Sequence, residues 1–146
     1  MGKPFGNSFI SFLLRSPLHS LLSGSLLLIT VTGRKSGQPH TTPVNYARLG
    51  NELLIVSSPD RTWWKNLRGG VPVKIRLQGR DVIGQGRAIE HQPEVAEGLI
   101  ELLKAAPAYQ KYLGVSLAPD GQPLDPTALA QAAQTRVMVK ISGLPT

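Results

Sequence analysis

The chain has 146 residues, the usual size of one domain, so a single fold over residues 1–146 is expected and a second catalytic domain would not fit. Apolar residues make up 41%, charged residues 17%, and cysteine is absent, which excludes a disordered chain, disulfide scaffolds, thiolate metal centres and cysteine nucleophiles and is compatible with the cytoplasm. Sixteen Lys/Arg against nine Asp/Glu give +7, and within residues 1–89 only Glu52, Asp60 and Asp81 offset the basic surplus, so anionic partners are favoured, whether phosphorylated cofactors, nucleic acid or acidic lipid.

The opening stretch GNSFISFLLRSPLHSLLSG places Phe9, Ile10, Leu13, Leu14, Leu18, Leu21 and Leu22 at helical spacing, predicting an amphipathic helix over about residues 7–23. Arg15 and Pro17 interrupt it, and its apolar stretch falls short of the roughly 20 residues that span a bilayer, so neither a membrane span nor a secretory leader is expected. The helix is expected to pack on the domain or on a second subunit, as in a homodimer, with peripheral membrane contact as the alternative. The MGKPFG start lacks a myristoylation signal, because Gly6 stands where Ser or Thr is required.

Leu26 to Thr32, LLLITVT, reads as a strand buried on both faces, ending in the turn-rich GRKSGQP. His40 to Leu49 and Glu52 to Ser57 are extended segments joined at Gly50-Asn51, a hairpin signal. Val73 to Leu77 and Asp81 to Glu90 form a second hairpin, in which Gly84 and Gly86 predict a bulge or a close approach of another backbone. A helix then starts at His91 or Gln92, with Pro93, Glu94 and Glu97 in its first turn and Lys104 in its last. A short helix from Pro126 to Gln134 leads to a half-buried strand from Thr135 to Ser142. The expected fold is therefore α+β, mainly β: a small closed antiparallel barrel of about six strands with peripheral helices.

Several chemistries find no support. His19, His40 and His91 are scattered without paired ligand spacing, so no metal site is expected, and each histidine reads as solvent-facing or capping. GRKSG matches neither a nucleotide P-loop nor a nucleophile elbow. Two segments do stand out. In Gly33-Arg34-Lys35-Ser36-Gly37 the glycines let backbone amides point outward beside two cations and a hydroxyl, which suits a phosphate or carboxylate, although an ordinary turn with solvated charges has the same composition. In Asp60 to Gly70 the adjacent Trp63 and Trp64 lie beside Arg61, Lys65, Asn66 and Arg68, able to stack on a planar ring while holding anionic groups. One tryptophan is expected in the core and the other over a barrel end.

Together LLLITVTGRKSGQPHTTPVNYARLGNELLIVSS, WWKNLRGGVPVKIRLQGR and PAYQKYLG resemble the deazaflavin-dependent nitroreductase family, one of the split-barrel flavin reductases, over about residues 25 to 115. The resemblance implies a split β-barrel that binds coenzyme F-420 and passes a hydride from its reduced form to a quinone, nitro compound or similar acceptor. It implies that Arg34, Lys35 and Ser36 hold the phosphate and acidic tail, and that Pro43, Val44 and Asn45 lie along the ring. Ser57 and Ser58 would begin a coenzyme-binding loop, Trp64, Asn66 and Leu67 would match the Trp/Tyr-x-Asn-Leu segment, and Tyr109 and Tyr112 would orient or protonate the acceptor as catalytic residues. The loop SSPDRT is shorter than in many relatives, so one coenzyme contact is expected to be lost or moved to Arg61.

Hydride transfer needs a positioned ring and excluded solvent rather than a nucleophile or a metal, in keeping with these residues. FMN in the same barrel is the alternative cofactor. A barrel that holds a flavin, pigment or lipid without turnover is the alternative of a different class. A nucleic-acid-binding barrel, using Lys74, Arg76 and Arg80, ranks last because the aromatics are not spread over that strand.

Overall fold

The computed structural model describes residues 26–77 and 79–144, and the amphipathic helix expected over residues 7–23 lies outside them. One antiparallel sheet contains β1 (Leu26–Thr32), β2 (Pro39–Asn45), β3 (Ala47–Leu49), β4 (Glu52–Ser57), β5 (Val71–Leu77), β6 (Arg80–Ile89) and β7 (Val137–Ser142). The order across it is β2-β1-β5-β6-β7-β4-β3. A 3-10 helix, Trp63–Leu67, links β4 to β5, and α1 (Gln92–Ala105), α2 (Tyr109–Leu113) and α3 (Pro126–Gln134) lie between β6 and β7.

The two edge strands, β2 and β3, are consecutive in the chain and separated by Tyr46 alone. The sheet must therefore curl until its edges come together. Among the described residues no ladder joins the two edges, so the barrel is split and not closed as the strand count had suggested. The expected segment His40 to Leu49 becomes two strands because Tyr46 leaves both ladders and is buried in the barrel interior.

The curled sheet has two apolar faces. Its inside holds Leu27, Ile29, Leu53, Ile55, Val73, Ile75, Val137, Val139 and Ile141, plugged by Trp63, Trp64 and Leu67 of the 3-10 helix. Its outside, over β4 and β7, meets the helices through Leu54 and Met138, which pack with Val95, Leu99, Leu102 and Leu103 of α1. Two burial expectations change as a result. β1 is fully buried on one face only, since Leu26, Leu28 and Thr30 are half-buried. β7, expected to be half-buried, is central: it pairs with both β4 and β6, and Met138 is as buried as Val139.

Local chemistry sets the turns and helix ends. Gly50 takes φ +61° in the β3–β4 turn, the left-handed conformation that glycine adopts without a Cβ penalty. No bulge occurs at Gly84 or Gly86, where the β5–β6 register is continuous. A Cβ on Gly84 would lie 2.7 Å from Ile141 Cγ2 and 3.1 Å from the Ser142 carbonyl oxygen, so close approach is what this strand requires. His91 occupies the N-cap of α1 without a side-chain capping bond. Asp125 caps α3, its Oδ1 accepting the Thr127 backbone N–H at 3.0 Å.

Candidate functional site

Where the β1–β2 turn meets the 3-10 helix, a cavity of about 660 Å³ opens, lined by Gly33, Arg34, Lys35, Ser36, His40, Thr42, Thr62, Trp63, Lys65, Asn66 and Arg68. Its size falls in the range of small-molecule sites, ~300–1,000 Å³.

The turn is built by its own backbone. Gly33 N–H donates to the Gln38 carbonyl and Gly37 N–H to the Gly33 carbonyl, both at 2.8 Å, while Ser36 Oγ accepts the Gln38 N–H at 3.1 Å. A Cβ on Gly33 would sit 2.7 Å from Ser36 Oγ and 3.2 Å from His40 Nε2, so only glycine leaves both polar groups in place. The 3-10 helix is clamped to this turn. Asn66 Oδ1 accepts the Arg34 backbone N–H at 3.0 Å, Asn66 Nδ2 donates to the Trp63 carbonyl at 3.3 Å, and Arg34 Nη2 donates to the Arg68 carbonyl at 2.6 Å.

The electrostatics are one-sided. Arg34, Lys35, Lys65 and Arg68 line the cavity and no carboxylate does. Of these four, only Arg68 has an ion-pair partner among the described residues, Glu90, and the hydrogen bond to that carboxylate raises the Arg68 pKa above its ordinary value. Arg68 and Lys65 both lie over the Trp64 ring, at 5.1 and 5.9 Å from its centroid. The N–H groups of Gly33, Arg34, Gly37 and Gln38 are all bonded within the fold, so the outward-pointing amides expected of the two glycines are not found there, and it is the cations with the neighbouring hydroxyls that suit a phosphorylated, carboxylated ligand.

The structure brings together Arg34, Lys35, Ser36 and Asn66 among the residues named from sequence. Trp64 and Leu67 are buried in the core beneath, and it is Trp63 that reaches the cavity. Both tryptophans belong to the barrel core, contrary to the expected division between core and barrel end. Pro43, Val44 and Asn45 continue β2 beyond Thr42 and pair with Leu28, Leu27 and Leu26 without lining the cavity. Ser57 and Ser58 stand at the end of β4, where Ser57 Oγ donates to the Ser58 carbonyl at 3.2 Å. Arg61 does not line the cavity, whereas its neighbour Thr62 does.

Tyr109 and Tyr112 lie elsewhere, on α2. Their rings meet edge to face at 6.2 Å, Tyr109 is buried among the helices, and Tyr112 is 49% exposed beneath the Arg136 guanidinium. The Tyr109 hydroxyl is buried without a hydrogen-bond partner, and burial pushes its pKa well above the usual phenol value, the wrong direction for a proton donor.

Trp63, Lys65 and Arg68, part of the aromatic and basic cluster read from sequence, do line the cavity, whereas His40, Thr42 and Thr62 carried no sequence assignment to the site. Two periodicities place all of these but Trp63. Thr62, Lys65 and Arg68 recur every three residues, the repeat of a 3-10 helix, and His40 and Thr42 alternate along one face of β2. Among the described residues no group of His, Asp or Glu is arranged to hold a metal ion, and no helix is long and apolar enough to cross a membrane.

Comparison with known proteins agrees with this architecture. The chain is 33% identical over 76 residues to F420H(2)-dependent quinone reductase Rv1261c of Mycobacterium tuberculosis strain H37Rv, an alignment covering 48% of this chain and 51% of that protein. The chain thus spans about half the length of the curated relatives it matches. Among solved structures, an F420-H2 dependent reductase, FDR-A, superposes with a TM-score of 0.50 at 16% identity, covering 81% of this chain and 94% of its own. A chain solved as a domain-swapped dimer gives 0.51 at 17% identity, covering 93% and 95%. These likenesses are of fold. The family described as F420H(2)-dependent quinone reductase matches residues 16–116, more than half of the sequence, and the chain belongs to that family.

Proposed function

We propose that this chain is a reductase that binds coenzyme F-420 in the basic cavity and delivers a hydride from its reduced form to a quinone, a nitro compound or a similar electrophilic acceptor. The observation that carries the reading is the wall of four cations without a carboxylate, built around a glycine that leaves Ser36 and His40 in the mouth. The coenzyme, when bound, supplies the hydride. Arg34, Lys35 and Lys65, which have no ion-pair partner among the described residues, hold its anionic groups, and Ser36 has its O–H left to donate. Trp63, Thr42 and Thr62 supply the wall that excludes water. Trp64, Asn66 and Leu67 act from behind, Asn66 by clamping the turn and the other two as packed floor. Pro43, Val44 and Asn45 on β2, and Ser57 and Ser58 at the end of β4, do not line the cavity and would meet the part of the ring that extends beyond it. Of the tyrosine pair, Tyr112 is the exposed member able to meet an acceptor, and Tyr109 supports it through the ring contact.

FMN, with one phosphate, is the alternative ligand of the same cavity, and a barrel that binds without turnover is the alternative of a different class. A cytoplasmic homodimer of one domain over residues 1–146 completes the reading. Dimerisation alone is supported by the fold relative solved as a domain-swapped dimer, and light scattering tests it.

The deciding experiment is a fluorescence titration of the protein with F-420 and, in parallel, FMN, with Trp63 as reporter, followed by anaerobic mixing of the reduced coenzyme with menadione. Quenching by F-420 at lower concentration than FMN, and oxidation of the reduced coenzyme by the quinone, are expected. Tighter FMN binding would transfer the reading to the flavin. Tight F-420 binding without reduction of menadione or of a nitro compound tested in the same way would leave a binding protein.

A further inference from the structure

Glu90 stands between β6 and the N-cap of α1 and does not line the cavity. Its carboxylate nevertheless takes Arg68 in a two-pronged grip, with Arg68 Nε donating to Oε2 at 2.9 Å and Nη2 donating to Oε1 at 3.0 Å. The guanidinium carbon of the same side chain lies 5.1 Å from the centroid of Trp64, a ring only 2% exposed. Although its side chain is 48% exposed, a guanidinium forked at one edge and lying over a fixed ring keeps less freedom than an unpartnered surface arginine, and only the planar fork of arginine can be held in this way. The backbone carbonyl of Arg68 separately accepts from Arg34 Nη2 at 2.6 Å, which brings the second arginine of the wall to the same residue.

A carboxylate near an anion site lowers the local positive potential. If Glu90 were only a counter-ion, the protein would bind an anion better without it. We infer instead that Glu90 is a positioning residue for the cavity, fixing the Arg68 guanidinium in its wall over Trp64 so that an anionic ligand meets an oriented cation. This rests on the coenzyme reading above. The two roles predict opposite signs, which makes the inference decidable.

Glu90→Gln, Arg68→Lys and the double variant are titrated with F-420 at about 0.1 M and about 1 M NaCl, the latter reducing the Debye length to roughly 3 Å. Glu90→Gln is expected to weaken binding roughly three- to tenfold at both salt concentrations, the loss of one well-oriented charged hydrogen bond. Arg68→Lys keeps the charge and loses the fork, so it is expected to weaken binding by a similar factor, and the double variant by no more than either. Equal or tighter binding by Glu90→Gln, or losses that multiply in the double variant, would overturn the inference. A second measurement does not depend on the coenzyme. The Arg68 Nε–H resonance is expected to be protected from exchange in the wild type and to lose that protection in Glu90→Gln; unchanged protection would overturn the inference. If the wild type binds no F-420, the coenzyme reading falls, and pyrophosphate becomes the probe in the same variants. The same order of affinities then supports the positioning role, and equal affinities overturn it.

Discussion

Arg34 and Asn66 stand 32 residues apart in the chain and are joined directly, the Arg34 backbone N–H donating to Asn66 Oδ1 at 3.0 Å. The amide nitrogen of Asn66 meanwhile donates to the Trp63 carbonyl. One side chain thus fastens the basic turn to the 3-10 helix. Asn66→Ala breaks both bonds and is expected to lower stability by about 1–2 kcal/mol and to weaken F-420 binding in parallel. Asn66→Asp, which keeps the acceptor, should retain more of both than Ala does. Denaturant unfolding and ligand titration on the two variants check this, and equal losses would remove the clamp from the account.

Arg34 and Lys35 are exposed turn cations with no carboxylate partner among the described residues. Replacing either by Ala should leave the unfolding free energy within about 1 kcal/mol of wild type. Each replacement should weaken F-420 binding by roughly tenfold and flatten its dependence on salt. Titration at two ionic strengths decides the matter, and unchanged affinity would detach these residues from the coenzyme.

Tyr109 buries a hydroxyl with no partner. Tyr109→Phe removes that group while keeping the ring, so the protein should become more stable by about 1 kcal/mol, or at least lose nothing. Burial raises the folded-state pKa above the ordinary 10.0. The unfolded chain therefore releases this proton at a lower pH than the folded one. Titration of Tyr109 leaves the stability of the wild type unchanged below pH ~10 and lowers it as pH rises above that value. Unfolding midpoints at neutral and alkaline pH should show this decline in the wild type and less of it in Tyr109→Phe. A destabilised Phe variant would mean that the hydroxyl has a partner in solution.

Gly84 lies against β7, where an added Cβ would come within 2.7 Å of Ile141 Cγ2, 3.0 Å of Leu144 Cδ2 and 3.1 Å of the Ser142 carbonyl oxygen. Gly84→Ala should cost roughly 1–3 kcal/mol through overpacking. Thermal melting provides the check, and a wild-type melting temperature would show that β7 has room to shift.

The strands were legible where their signals were local. The apolar run Leu26–Thr32 and the segment Glu52–Ser57 after Gly50-Asn51 coincide with β1 and β4 because periodicity and turn chemistry act within a few residues. The burial of Met138 was not legible, because alternation along β7 says nothing of α1, which packs on its other face. The site follows the same division. Arg34, Lys35 and Ser36 are adjacent in the chain and could be read as one anion-binding turn. Lys65 and Arg68 join them only because the 3-10 helix stacks every third residue and Asn66 pins it to that turn. The tyrosines rest on resemblance alone, and with α2 packed among the helices neither of them lines the cavity.

The position of β7 in the sheet bears on how the barrel is assembled in time. β2-β1-β5-β6 and β4-β3 are separate ribbons until β7 enters between β6 and β4. The ladder that joins them pairs Leu53 with Ile141 and Ser57 with Val137, contacts between distant parts of the chain, and such contacts form slowly. A nascent chain would therefore carry the turn and the 3-10 helix without Val137, Val139 and Ile141, which share the core with Trp64 and Leu67, until the residues of β7 had left the ribosome. Ligand competence should appear late and together with the closing ladder, so that a ligand present during synthesis would meet the finished barrel and not its precursor.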